Sequence, residues 1–130
     1  MNKEDANFRD FIEIIDNMAR LHEWEMKNLP LLNSLTGRSL YYKIAQISLN
    51  FDDNKSNTMK DLIVDSDFTE KSLRTRLNIM EQEGFVVSTQ SGIDGRSRFP
   101  VPKDKFYALM YLHAGQIKRI LGNNFLIIKK

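Results

Sequence analysis

The stretch Thr69-Glu70-Lys71-Ser72-Leu73-Arg74-Thr75-Arg76-Leu77-Asn78-Ile79-Met80-Glu81-Gln82-Glu83-Gly84-Phe85-Val86-Val87 decides the fold. Leu73, Leu77 and Met80 recur at steps of four and three, so a helix starting near Thr69 carries all three on one buried stripe. Gly84 stands where a helix is expected to end on a left-handed residue. The period then changes. Phe85-Val86-Val87-Ser88-Thr89 is β-rich, Gln90-Ser91-Gly92-Ile93-Asp94-Gly95 is turn chemistry, and Arg96-Ser97-Arg98-Phe99-Pro100-Val101 returns extended. Together they predict a helix over about 69–82 and a β-hairpin with a polar tip over about 85–101.

Outward from this centre the chain reads as helices. Over 4–27, Phe8, Phe11, Ile12, Ile15, Met18, Ala19, His22 and Met26 form one apolar stripe, with Glu4, Asp5 and Asp10 near the start to suit the helix dipole. Asn28-Leu29-Pro30 ends it. Leu31, Leu32 and Leu35 suggest a short turn closed by Gly37, and Ser39 is a plausible N-cap for a helix to Phe51 with Leu40, Ile44 and Ile47 inward. Asp52-Asp53-Asn54-Lys55-Ser56-Asn57 is a polar loop, and Thr58 caps a short helix carrying Met59, Leu62 and Ile63. Pro102 suits the first turn of a last helix over about 103–121, with Phe106, Leu109, Met110, His113, Ile117 and Ile120 on one face and Gly122-Asn123 as its cap.

The order helix, helix, short helix, turn, helix, hairpin, helix describes a winged helix-turn-helix: mainly α, with a small β-hairpin wing and long N- and C-terminal helices. With 130 residues the chain is expected to be a single domain, 1–130, with its winged core at 39–101. In such a unit the helix over 69–82 lies in the major groove and must show donors opposite its core stripe. Lys71, Thr75, Asn78 and Gln82 occupy that face, with Ser72 and Arg74 on its flanks, whereas Arg76 points nearer the core. Lys and Arg reach phosphates or guanine edges, Asn pairs with adenine, and Ser or Thr bonds to either. The same residues also suit the solvent face of any amphipathic helix.

Charge is uneven. Residues 1–30 hold four basic and seven acidic groups, residues 31–83 seven and eight, and residues 84–130 eight and two. The basic C-terminal part fits a polyanion as partner. There are no cysteines, which excludes disulfides and thiolate chemistry. No run approaches the length of a membrane span, and the polar N-terminus leads into no signal core, so a cytoplasmic protein is expected. His22 and His113 lie on apolar stripes and read as packed histidines. No phosphate loop, nucleophile elbow or metal motif is present, so neither an enzyme, a metal nor a cofactor is expected.

Residues 58–101 resemble the DNA-binding core of the MarR-type winged-helix regulators. The matching stretch is Thr58-Met59-Lys60-Asp61-Leu62, then Ser72-Leu73-Arg74 through Leu77 to Met80-Glu81-Gln82-Glu83-Gly84-Phe85-Val86, then Asp94-Gly95-Arg96-Ser97-Arg98. The last is similar to the family's Asp-x-Arg-x-Arg wing motif. The resemblance implies that Asp94 orients the wing by holding one guanidinium, while Arg96 or Arg98 contacts the minor groove or backbone. It also implies a prokaryotic transcription regulator on double-stranded DNA, dimeric through the helices at 1–30 and 103–130. Eight residues follow Gly122, where the family often has another helix, so the dimer is expected to be smaller or rearranged. Trp24, Tyr41, Tyr42, Tyr107 and Tyr111 are candidates to line a small-molecule effector pocket, and packing accounts for them equally well.

Two other readings compete: a winged-helix protein-interaction module that does not read DNA, and a phage or plasmid replication-associated winged helix. Residues 55–82 favour the first of these, since they hold five basic and five acidic groups.

Overall fold

In a computed structural model of the chain, residues 6–49, 66–91 and 97–125 are described. They form four α-helices, one 3-10 turn and one two-stranded antiparallel hairpin. The helices are α1 (Ala6–Asn28), α2 (Leu35–Leu49), α3 (Glu70–Gln82) and α4 (Asp104–Phe125), and the strands are β1 (Val86–Ser91) and β2 (Ser97–Pro102). The protein is therefore mainly helical with a small hairpin. No helix among the described residues is long and apolar enough to cross a membrane. The chain divides into two compact units, Met1–Pro30 with Leu109–Lys130, and Leu31–Ala108.

In the first unit α1 meets the later part of α4. Asn17 donates to Asn124 at 2.9 Å and Glu25 meets His113 at 2.7 Å, so the two helices run in opposite directions. The face of α1 that is buried is the one holding Leu21 and Glu25. This corrects the sequence reading, because most of the apolar stripe through Phe11, Ile12, Ile15, Met18, Ala19, His22 and Met26 is exposed. Periodicity shows that a stripe seeks cover but not which neighbour supplies it. A buried carboxylate is tolerated at position 25 because His113 partners it, which hydropathy alone does not reveal. On α4 the expected face holds: Phe106, Leu109 and His113 are buried, and Met110, Ile117 and Ile120 half-buried.

In the second unit the core is Leu31, Leu32, Leu40, Tyr41, Ile44, Leu73, Leu77, Met80, Phe85, Val86 and Phe106. α2 starts at Leu35, four residues before the expected Ser39. Its first turn is held by Ser34, whose Oγ accepts from Gly37 N–H at 2.9 Å and whose carbonyl accepts from Arg38 N–H at 2.9 Å. Gly37 thus lies inside the helix and closes no turn. It is glycine because of a close approach: a Cβ there would press on the Leu31 carbonyl oxygen, well inside van der Waals contact.

β1 and β2 pair from Val86 opposite Pro102 to Ser91 opposite Ser97, within a residue or two of the expected strands. Pro100 and Pro102, two apart, fall on one phase of the ladder and leave the other phase to bond β1. Pro102 therefore ends β2 instead of starting the last helix, which begins at Asp104. That helix runs through Gly122 and Asn123 to Phe125, so the expected cap is helix interior. The short helix expected after Thr58 and the loop at 52–57 lie outside the described residues.

Four outcomes follow from these contacts. Gly37→Ala gains helix propensity worth about 1 kcal/mol but forces a methyl onto a backbone carbonyl, so it should lose about 1–3 kcal/mol net. Gly115→Ala, with nothing within 4 Å of its added Cβ, should gain about 0.5–1 kcal/mol in the same thermal unfolding series. Glu25→Ala should cost about 1–3 kcal/mol by leaving a buried imidazole nitrogen without its carboxylate. Replacing both partners, Glu25→Met with His113→Leu, should recover much of that loss in urea melts.

Candidate nucleic-acid interface

The exposed face of α3 is set by how firmly its opposite face is held. Leu73, Leu77 and Met80 are each at most 3% exposed, which leaves the helix no freedom to roll about its axis. Thr69 caps its start in extended conformation: its Oγ1 accepts from Ser72 N–H at 3.1 Å and donates to the Ser72 hydroxyl at 3.0 Å. Glu70 then sits in the first turn, where the helix dipole favours an acid.

The far end closes on Gly84 at φ 83°. Phe85 N–H reaches the Met80 carbonyl at 2.9 Å and Gly84 N–H the Glu81 carbonyl at 3.0 Å, the paired bonds of a Schellman motif. Phe85 and Met80 are both buried, giving the motif its apolar contact. Lys105, arriving from α4, donates to the Glu83 carbonyl at 2.7 Å and lies 4.4 Å above the Phe85 ring. The hairpin thus leaves α3 at a fixed angle, and Ser88 of β1 makes two long bonds of 3.4 Å back to the Glu81 carboxylate.

All five expected donors of the helix, Lys71, Ser72, Arg74, Thr75 and Asn78, are exposed on this clamped element. Gln82 shares their exposure, and Arg76 is half-buried. Two of the five already have local partners. Ser72 belongs to the Thr69 cap, and Arg74 Nε donates to Glu70 at 2.8 Å in an exposed ion pair one turn long. Such pairs in water are worth about 0.3–0.5 kcal/mol, so Arg74 is held lightly. α3 carries Lys71, Arg74 and Arg76 against Glu70 and Glu81, leaving it nearly neutral.

The expected wing residues Asp94 and Arg96 lie outside the described residues. Arg98 is placed by its backbone in β2, opposite Gln90. Of the aromatic residues expected around an effector pocket, Trp24 and Tyr111 fall in the first unit and Tyr41, Tyr42 and Tyr107 in the second. Tyr41 is buried between the rings of Tyr42 and Phe106, at 5.2 and 5.5 Å, which is a packing role. No group of three or more acidic, histidine or cysteine side chains that could hold a metal ion occurs among the described residues.

Two contributors escaped the sequence reading. The Glu70–Arg74 pair was legible from its four-residue spacing. Lys105 was not, because nothing local announces that a residue 22 positions on will cap the helix. No protein-family model, curated protein or solved structure matches the chain with significance.

Thr69→Ala should cost about 1 kcal/mol in thermal unfolding by removing the side-chain acceptor of the Ser72 N–H. Glu70→Ala should move stability by no more than about 0.5 kcal/mol, in line with a lightly held Arg74.

Proposed function

We propose that the chain is a sequence-specific double-stranded DNA-binding regulator of the MarR-type winged helix-turn-helix kind, acting as a homodimer in a prokaryotic cytoplasm. α3 enters the major groove and the hairpin at 85–101 lies on the minor groove or backbone. The observation that carries the reading is the exposure of Lys71, Ser72, Arg74, Thr75 and Asn78 on one helix whose other face is locked and whose end turns directly into an antiparallel hairpin. Arg74 and Asn78 are the base readers by chemistry, Lys71 a phosphate contact, and Ser72 and Thr75 short-range donors. A bidentate Arg–guanine contact discriminates by about 1–3 kcal/mol, more than the Glu70 pair gives up, so DNA outcompetes the carboxylate for Arg74.

The near-neutral charge of α3 favours a second reading, a protein-interaction module on the same scaffold. In the DNA reading most of the nonspecific attraction then comes from the basic residues at 84–130, including Arg96 and Arg98.

Selection of bound duplexes from a random pool, followed by titration at two salt concentrations, separates these. The expected result is one preferred sequence with two half-sites about one helical turn apart and affinity falling steeply with salt. Arg74→Ala and Asn78→Ala should each relax one base preference at a cost of about 1–3 kcal/mol, whereas Lys71→Ala, Arg96→Ala and Arg98→Ala should weaken all duplexes alike. Equal weak affinity for every duplex, with a stoichiometric protein partner recovered instead, would establish the second reading.

A further inference from the structure

α1 and the later part of α4 leave a groove between them, wholly inside the first unit, with a volume of about 550 Å³. Apart from Trp24 and Ile120 its lining is polar, so an oily occupant would gain little there. Three cations line it: Arg20 and Lys27 from α1, and Arg119 from α4. Counted from the Asn17–Asn124 bond, Arg20 lies about 5 Å along α1 and Arg119 about 8 Å back along α4, so the two stand at nearly one level. Trp24 and Gln116 follow about one turn further on.

Each guanidinium is steadied from its own helix without being used up. Arg20 Nη2 meets Asp16 at 3.1 Å, and Arg119 Nε donates to Gln116 at 3.2 Å. A guanidinium has five N–H donors, so both arginines retain donors for a third group. Among the described residues Lys27 makes no ion pair, and the half-buried Trp24 has neither a ring against it nor an acceptor for its indole N–H. Cations gathered in one groove favour an anion of more than one charge, since a single carboxylate would leave repulsion between them. A phosphate monoester carries about −1.5 to −2 charges at pH 7 and three acceptor oxygens, enough to bridge donors from both helices. A flat ring beside that phosphate would cover the Trp24 face, because an indole stacks on any base. A long polyanion fits less well. Glu13 and Glu23 also line the groove, and residues 1–30 hold seven acidic groups against four basic ones.

We infer that this groove binds a nucleoside monophosphate, with the phosphate between Arg20 and Arg119 and the base stacked on Trp24. The inference goes beyond the proposed function and uses none of the residues assigned to DNA, so each stands or falls without the other.

Trp24 is the only tryptophan in the chain, so the fluorescence of the folded full-length protein reports this groove without background. Adenosine monophosphate, adenosine, inorganic phosphate and a short single-stranded oligonucleotide would be titrated separately, with calorimetry as the second readout. The expected result is saturable quenching by the monophosphate, with adenosine and inorganic phosphate each at least about tenfold weaker. Arg20→Gln and Arg119→Gln should each weaken the monophosphate at least about tenfold, and Trp24→Leu should do the same by calorimetry. Lys118→Gln removes an exposed cation next to Arg119 and outside the groove, and should leave the affinity unchanged.

Inorganic phosphate binding as tightly as the nucleotide would mean that no ring is recognised, and overturns the inference. Tighter binding of the oligonucleotide overturns it by making the groove a polymer site. Equal losses from Lys118→Gln and the two arginine variants would mean diffuse attraction and overturn it too, as would no saturable binding of the nucleotide at millimolar concentration. Arg20 and Arg119 are exposed, so their substitution leaves the α1–α4 packing intact and the test decides even if Trp24→Leu fails to fold.

Discussion

The rotational phase of α3 is the constraint on which everything at its surface depends. A roll of one residue turns the helix by about 100°, which would bury Arg74 and expose Leu73. Three side chains prevent this: Leu73, Leu77 and Met80 are each at most 3% exposed. Caps at both ends prevent sliding as well: Thr69 ties the first turn, and Gly84 with Phe85 closes the last. Lys105 adds a cation where the helix dipole is negative and covers the Phe85 ring. Rigidity of this kind lets a polar face present donors at fixed spacing, which a fraying helix cannot do.

The surface so presented is chemically mixed. Donors dominate its middle, at Arg74, Thr75 and Asn78, while Glu70 and Glu81 stand nearer its ends. A nearly neutral helix gains little from long-range attraction to phosphate, so selectivity rests on short-range hydrogen bonds and steering is left to the basic residues further along the chain. The lightly held Glu70–Arg74 pair fits this division. It keeps the guanidinium extended over the helix surface without tying it down.

The first unit shows a different economy. α1 turns its most apolar face outward and buries a glutamate, because a carboxylate matched by a histidine at 2.7 Å is satisfied while an apolar stripe needs only area. The Glu25–His113 contact gives the α1–α4 packing a register, since one specific pair of atoms must meet. Leu21, Leu29, Leu109 and Leu121 are the buried apolar side chains described in this unit.

The α3 stripe, its Thr69 start, its Gly84 end and the hairpin beyond were all legible from residue order. Each follows from local rules: a period of 3.6, a capping hydroxyl, a residue that adopts positive φ without strain, and a switch to a period of two. The exposure of Lys71, Ser72, Arg74, Thr75 and Asn78 followed once the stripe was known. Ser39 and Gly37 misled because Ser34 competes as a cap and the Leu31 carbonyl approaches too closely for any other residue at 37. Residue order by itself thus determined where the helices and hairpin form and which side of α3 is polar, since those depend on neighbours a few positions away. Only the tertiary structure decided which face of α1 is covered, that Glu25 finds His113 from 88 positions away, and that Lys105 seals α3, because burial and pairing across long separations depend on what the fold brings alongside.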